Sequence, residues 1–364
     1  VSLQTTENRI TDNSNPNARP DYSINPQELE FGKKFAANMF VANYRSGKWE
    51  PGELSPLTNF SLHPAALVLH YAQGVFEGLK TYRVGEGKFQ LFRPELNARR
   101  MVHSAERMAL PPYPEADFLD AVSAVVKTNL NFVPEAPGTL YIRPTLIGTE
   151  PCIGVRASSE ALFYIICLPA GSFFKSDSPG PGAVDVLVSE DAARAFKGGT
   201  GSAKAAANYA LSLKTIKDAK EVGCAQVLFL DAEKKEYLEE MGGMNVFFSD
   251  GTSLITPDLN DTILEGVTRR SIIDFAKSEG IKVEERRISI HELLSGIESG
   301  KITEGLACGT AAVVTGIKSL KMSKSLKSYA LSAAPGPMTT RLYDAITGIQ
   351  FGRRPAPEGW VRAL

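Results

Sequence analysis

The stretch FKGGTGSAKAAANY, Phe196 to Tyr209, sets one lysine, Lys204, in a run of glycine, alanine and small hydroxyl residues. Small side chains let a bulky planar ligand approach the backbone. A lysine in apolar or cation-rich surroundings has its ammonium destabilised, which frees the neutral amine for a Schiff base with a carbonyl. Two phosphate-binding readings fail here, because neither the GxxxxGK[ST] spacing nor the GxGxxG fingerprint is present. The competing reading is an ordinary solvated lysine on a glycine-rich loop, and it suits Lys197 better than Lys204.

The chain around this stretch has 364 residues, 43% hydrophobic and 22% charged, enough for two cored domains. The 40 Lys and Arg nearly cancel the 41 Asp and Glu, so the basic field that grips nucleic acid is missing and no nucleic-acid partner is expected. No apolar run reaches the length of a membrane span and the first residues are polar, so a protein without a membrane partner, working in the cytoplasm, is expected. Cys152, Cys167, Cys224 and Cys308 are far apart without a CxxC, which suits free thiols in a reducing compartment. His291-Glu292 lacks the second histidine of an HExxH site, and no metal is expected.

Residues 1–25, rich in Asn, Pro, Ser and Thr, read as an extended arm. Residues 26–172 read as a smaller α+β domain. In it Leu67 to His70, Thr139 to Ile147 and Ala161 to Leu168 are expected as strands, and Asn97 to Leu110 and Glu115 to Leu130 as helices. The densest breaker cluster, Ser176-Asp-Ser-Pro-Gly-Pro-Gly182, places an interdomain linker at 173–184. Residues 185–364 read as a larger α/β domain carrying Lys204. Its expected strands are Val184 to Val188, Gln226 to Leu230, Asn245 to Phe248 and Lys282 to Glu285, and its helices Asn208 to Lys220, Thr268 to Ser278 and Pro337 to Gly348.

A second constellation is Tyr237-Leu-Glu239-Glu240-Met-Gly-Gly-Met-Asn245, where two carboxylates enter a stretch of apolar and small residues. An inward carboxylate must be paired, and a protonated heterocyclic nitrogen is a suitable partner. A turn with two solvated glutamates is the alternative, and the residues alone leave both open. Glu265-Gly-Val-Thr-Arg269 precedes a helical pattern, so its backbone N–H groups suit a phosphate. Cys308-Gly-Thr-Ala-Ala312 offers a turn and a hydroxyl, and Arg93, before Pro94, offers a charge-assisted donor.

These segments, with His70-Tyr-Ala-Gln-Gly-Val-Phe-Glu-Gly-Leu-Lys80, Leu91-Phe-Arg-Pro94, Tyr141-Ile-Arg-Pro144 and Asn208-Tyr209, resemble the branched-chain amino-acid aminotransferases. That family has fold type IV among pyridoxal-phosphate enzymes, a two-domain α+β and α/β architecture like that of D-amino-acid aminotransferase. The resemblance runs in order from about Phe31 to Trp360. It implies transamination between leucine, isoleucine or valine and 2-oxoglutarate, giving branched-chain 2-oxo acids and L-glutamate, with pyridoxal 5′-phosphate as cofactor. Lys204 is then the catalytic lysine that holds the cofactor and moves the proton, and Glu240 pairs with the pyridinium nitrogen. Tyr209 bonds the ring's phenolate oxygen, and Arg93, Val267, Thr268 and Thr310 cradle the phosphate.

For the substrates, the same resemblance implies an apolar wall from Phe31, Tyr71, Phe76, Tyr141 and Phe173, with Arg143 and the Thr310 to Ala311 turn for carboxylates. It also implies a homodimer, with the loop bearing Tyr71 reaching the neighbouring subunit's site. Several positions depart from the family pattern. Phe173 replaces a tyrosine of some relatives, Ala205 to Ala207 replace a glycine-rich stretch, and Glu265 replaces a common proline. The redox CxxC of some animal members is missing, with Ala312 and Thr315 in its place. The rivals are a D-amino-acid aminotransferase or an aminodeoxychorismate lyase within the fold, and a non-enzymatic phosphate-binding protein outside it.

Overall fold

The computed structural model describes residues 10–171 and 180–364. They form two compact units. The first takes 10–171 with Ala203–Ala206 and Ala356–Leu364, and the second takes 180–202 and Ala207–Pro355. Lys204 and the C-terminal strand, which the sequence reading assigned to the second domain, thus have their neighbours in the first unit. Most of the expected linker, and Phe173 with it, lies outside the described residues.

The first unit is built on a mixed sheet with the order Thr11–Asp12, Glu53–Pro56, Asn38–Arg45, Ala161–Ala170, Thr139–Gly148, Leu79–Gly85, Lys88–Phe92, Val361–Ala363. Ala161–Ala170, nearly all apolar, takes a central place because pairing on both edges leaves no backbone group for water. The helix Glu115–Lys127 buries Phe118, Ala121, Val122, Val125 and Val126, a three-to-four-residue spacing that lays one face on the core.

Pro144 lies inside Thr139–Gly148, a strand paired on both sides. Its missing N–H falls on the edge where the neighbouring strand is interrupted. Gly74–Phe76 pairs with Thr145 to Ile147, Leu79–Gly85 resumes at Ile142, and between them Glu77 N donates to Pro144 O at 2.8 Å. Gly78 sits in that break. A Cβ there would run into the Tyr141 hydroxyl, so any larger residue would have to displace that ring.

The second unit carries the order Leu238–Met241, Gln226–Leu230, Ala183–Ser189, Val313–Met322, Glu304–Gly309, Asn245–Ser249, Leu254–Thr256, Val283–Glu285. The helices Val267–Ser278 and Pro337–Gln350 pack on it. Glu304, 1% exposed, accepts from Met338 N at 3.0 Å and from Thr339 N and Oγ1 at 2.9 Å. A buried carboxylate thereby satisfies orphan donors of the second helix and complements its dipole.

One element differs in kind from expectation. Leu67–Tyr71 is a short α-helix, closed by Ala72 in the left-handed region, not a strand. The four-residue run LVLH has no periodicity that separates the two. Burial shows the helical pattern: Leu67 is covered, while Leu69 is exposed. No helix among the described residues is long and apolar enough to cross a membrane.

Candidate active site

In the first unit, Lys204 is fixed by its backbone. Its N–H donates to Ser104 Oγ at 2.9 Å, on the helix Pro94–Arg107, and its carbonyl accepts from Phe76 N at 3.1 Å. Ala205 bridges Val75. The residues around Lys204 are therefore tied to the strand next to the Pro144 break, and Nζ lies 4.8 Å from the Phe76 ring centroid. Beside Phe76, Glu77 is fully buried and takes Arg100 Nε and Nη2 at 2.7 and 2.8 Å and Asn97 Nδ2 at 2.7 Å. Burial pushes its carboxyl up, but Arg100, Lys204 and Asn97 outweigh this and hold it below the ordinary carboxylate value.

Phe31, Phe76, Tyr141 and Arg143 come together in this unit. The Arg143 guanidinium lies over the Phe76 ring at 4.7 Å and the Tyr141 ring at 5.3 Å, and Nη2 donates to Tyr141 Oη at 3.1 Å. Phe31 meets Tyr141 edge-on at 5.0 Å. Arg143 Nε is buried without a hydrogen-bond partner, and no carboxylate pairs with this guanidinium among the described residues. Tyr71 belongs to another neighbourhood: half exposed at the end of its short helix, its hydroxyl donates to Ile153 O. Arg93 precedes the helix Pro94–Arg107 with φ 48°. Its N–H donates to Trp360 O at 2.8 Å and its guanidinium stacks 4.5 Å over the indole. Left-handed backbone at a non-glycine residue is strained, and both contacts hold it there.

In the second unit both glutamates of the Leu238–Met241 strand are buried, each 4% exposed, so the solvated-turn alternative fails. Glu240 Oε1 pairs with the Arg194 guanidinium, Nη2 at 2.6 Å, and accepts from Leu264 N at 2.9 Å, and Oε2 accepts from Asn245 Nδ2 at 3.0 Å. Glu239 fares differently. Its Oε2 is buried with no partner, and burial dominates Thr262 and Arg194 to hold its carboxyl above the ordinary range.

The Val267–Ser278 helix starts beside Asn245. Gly266 precedes it, and a Cβ there would lie 2.1 Å from Asn245 Oδ1. That N-terminus has no side-chain cap and no acidic residue in its first turn, which leaves its N–H groups and dipole suited to an anion. Val267 and Thr268 are both buried in that turn. Thr310 and Ala311 occupy the turn joining Glu304–Gly309 to Val313–Met322, whose Cys308 pairs with Asn245 across the sheet. Tyr209, on the helix Ala206–Glu221, approaches Gly243, where a Cβ would lie 3.6 Å from its ring.

Sequence reasoning assigned no role to Glu77, Asn97, Arg100, Ser104 or Arg194. Asn97 and Arg100, three apart, share a helix face, which is a legible signal. Arg194, in Ala192-Ala-Arg-Ala195, stands out as a lone cation among apolar neighbours.

The family model described as "Amino-transferase class IV" matches residues 74–320. The branched-chain-amino-acid transaminase 1 of Bacillus subtilis (strain 168) is 42% identical over 338 residues, 92% of this chain and 94% of that protein. Among solved structures, the branched-chain aminotransferase of Thermoproteus uzoniensis with norvaline is 27% identical with a TM-score of 0.74, over 90% of this chain and 99% of that one. The T.th. branched-chain amino acid aminotransferase complexed with N-(5′-phosphopyridoxyl)-L-glutamate is 25% identical with a TM-score of 0.73, over 91% and 99%. With the matched region spanning Lys204, Glu240 and the start of the Val267–Ser278 helix, the chain belongs to the class IV amino-transferase family, among its branched-chain-amino-acid aminotransferases.

Proposed function

We propose that the protein exchanges amino groups between L-leucine, L-isoleucine or L-valine and 2-oxoglutarate, yielding branched-chain 2-oxo acids and L-glutamate, with pyridoxal 5′-phosphate held through Lys204. The observation that carries this reading is Arg143, a cation seated on Phe76 and Tyr141 without a carboxylate among the described residues, on the same ring that Lys204 Nζ approaches. An aromatic cluster with such a cation suits a substrate pair that is apolar in one half-reaction and carries a second carboxylate in the other. A solved relative holding a phosphopyridoxyl-glutamate conjugate supports glutamate as the second amino acid.

The residues present fit the cofactor. Within the second unit, the uncapped Val267–Ser278 N-terminus, which Gly266 leaves open to close packing, offers Val267 and Thr268 for a phosphate, with Thr310 as a further donor; the role of Arg93 rests on the family resemblance alone. Glu240, held by Arg194, Asn245 and Leu264 N, suits a protonated ring nitrogen, and Tyr209 suits the ring's phenolic oxygen. Bound there, pyridoxal phosphate supplies an electron sink for the substrate Cα–H bond and a temporary carrier for the amino group. With the cofactor bound, Lys204 Nζ would be the base that takes the substrate's Cα proton and the acid that gives a proton back. Phe31, Phe76 and Tyr141 line the apolar wall, Tyr71 is added to it from the neighbouring subunit, and Thr310 and Ala311 bind the substrate's carboxylate.

The active form is a homodimer in which Tyr71 serves the neighbouring subunit. Tyr71 is bonded to Ile153, and Leu69, Ile153 and Val155 are exposed apolar side chains in the same two segments, a patch suited to burial against a second copy. Four free cysteines fit a cytoplasmic setting. A panel of L- and D-amino acids with 2-oxoglutarate tests the function. Each buried methylene contributes about 0.8 kcal/mol, so leucine, isoleucine and valine should exceed alanine by roughly one to two orders of magnitude in kcat/KM. Turnover of D-amino acids without the branched L-substrates overturns the proposal.

A further inference from the structure

We infer that Arg194 is a positioning residue that fixes the Glu240 carboxylate for the cofactor's ring nitrogen; this rests on the role proposed for Glu240. The geometry is specific. Arg194 is 4% exposed, and Nη2 alone reaches Glu240 Oε1 at 2.6 Å, Gly201 O at 3.2 Å and Thr262 O. One guanidinium nitrogen therefore ties the glutamate strand to the glycine-rich loop ahead of Lys204 and to the segment leading into the Val267–Ser278 helix.

Those two backbones touch because Gly201 has no side chain; a Cβ there would lie 2.6 Å from Thr262 Cα and O. The segments cannot drift apart without breaking the Arg194 contacts, and Glu240 cannot rotate without leaving both Arg194 and Leu264 N. A buried ion pair is a poor stability device, since desolvation offsets most of its Coulomb gain and an apolar pair of similar volume often serves as well. Here the charged donor gives Glu240 one orientation, which packing alone would not.

The test uses Arg194→Met and Arg194→Lys, each alone and combined with Glu240→Gln. Three readouts apply: the affinity of the apoenzyme for added pyridoxal phosphate, the visible absorption of the holoenzyme, and the single-turnover rate with leucine. Arg194→Met should slow the reaction about 10- to 100-fold, as loss of a group that orients a direct ligand does, weaken cofactor binding and alter the visible band. Arg194→Lys, which keeps the charge, should recover most of the loss. In the Glu240→Gln background Arg194→Met should add less than about 3-fold, because a residue acting through Glu240 has nothing left to act on. The same factor in both backgrounds, or a Lys variant as impaired as the Met variant with an unchanged visible spectrum, overturns the assignment. Should the Met variant not fold, the Lys variant in the two backgrounds carries the same comparison. Wild-type protein that takes up no pyridoxal phosphate refutes the proposed function itself, whereas a wild-type holoenzyme matched by Arg194→Met refutes only the role of Arg194.

Discussion

Adjacent glutamates on one strand should respond in opposite ways to the same substitution. In Glu240→Gln, an amide nitrogen replaces one acceptor of a carboxylate that takes donors on both oxygens. The side chain then meets Asn245 Nδ2, or Arg194 and Leu264 N, donor to donor, and Arg194 loses its charge partner while buried. Removing one member of a buried pair costs about 3–5 kcal/mol, so the apoenzyme should lose stability on that scale. The reaction should slow by more than about 10²-fold, because the ring nitrogen loses the anion that holds its proton. Glu239→Gln removes a carboxylate whose Oε2 has no partner and whose pKa burial raises. A folded-state pKa above the unfolded value means that wild-type stability falls as pH rises from about 4.5 through the folded pKa. Glu239→Gln should therefore be more stable than wild type above that window, with the difference vanishing toward pH 4.5, and should cost far less in rate. Denaturant unfolding of the apoenzymes between pH 4.5 and 8, with rapid mixing of the holoenzymes against leucine, reads both. A reversed order of the two variants would falsify the assignment and place the functional carboxylate one residue earlier.

Arg143→Ala should damage the glutamate half-reaction more than the leucine half-reaction, which single-turnover spectroscopy separates; equal losses would make Arg143 a structural support for Phe76 and Tyr141. Lys80 is 6% exposed, and burial lowers its ammonium pKa to about 8. Between that value and an unfolded pKa of about 10.4 the folded state binds fewer protons, so wild-type stability should rise with pH across this window. Lys80→Met should lose this slope; a wild-type stability that stays flat across the window, or a slope that survives in Lys80→Met, rejects this.

Most helices and strands were legible because their burial follows one period over enough residues: Glu115–Lys127 shows helical spacing and Ala161–Ala170 an unbroken apolar run. Leu67–Tyr71 was not, since a run as short as Leu-Val-Leu-His carries no period. The affiliation of Lys204 with the first unit was hidden for another reason: it is set by bonds to Phe76 and Ser104, which are distant in sequence. Pairings such as Glu77 with Arg100 and Glu240 with Arg194 are likewise long-range and leave only indirect traces, a shared helix face or a lone arginine among alanines. Glu240 itself was marked by its own segment, where two carboxylates enter apolar surroundings, but the distinction between its satisfied oxygens and the unpartnered one on Glu239 exists only in the fold.

The central claim is that Lys204 is the amine that holds the cofactor. Holoenzyme reconstituted with pyridoxal 5′-phosphate, reduced with borohydride and digested, should carry the phosphopyridoxyl mass on the peptide containing Lys204, and addition of leucine before reduction should remove the label. Lys204→Ala should show no label and no turnover while keeping its fold and part of its cofactor affinity, and Lys197→Ala should label and turn over as wild type does. A label on Lys197, or normal turnover by Lys204→Ala, would contradict the account.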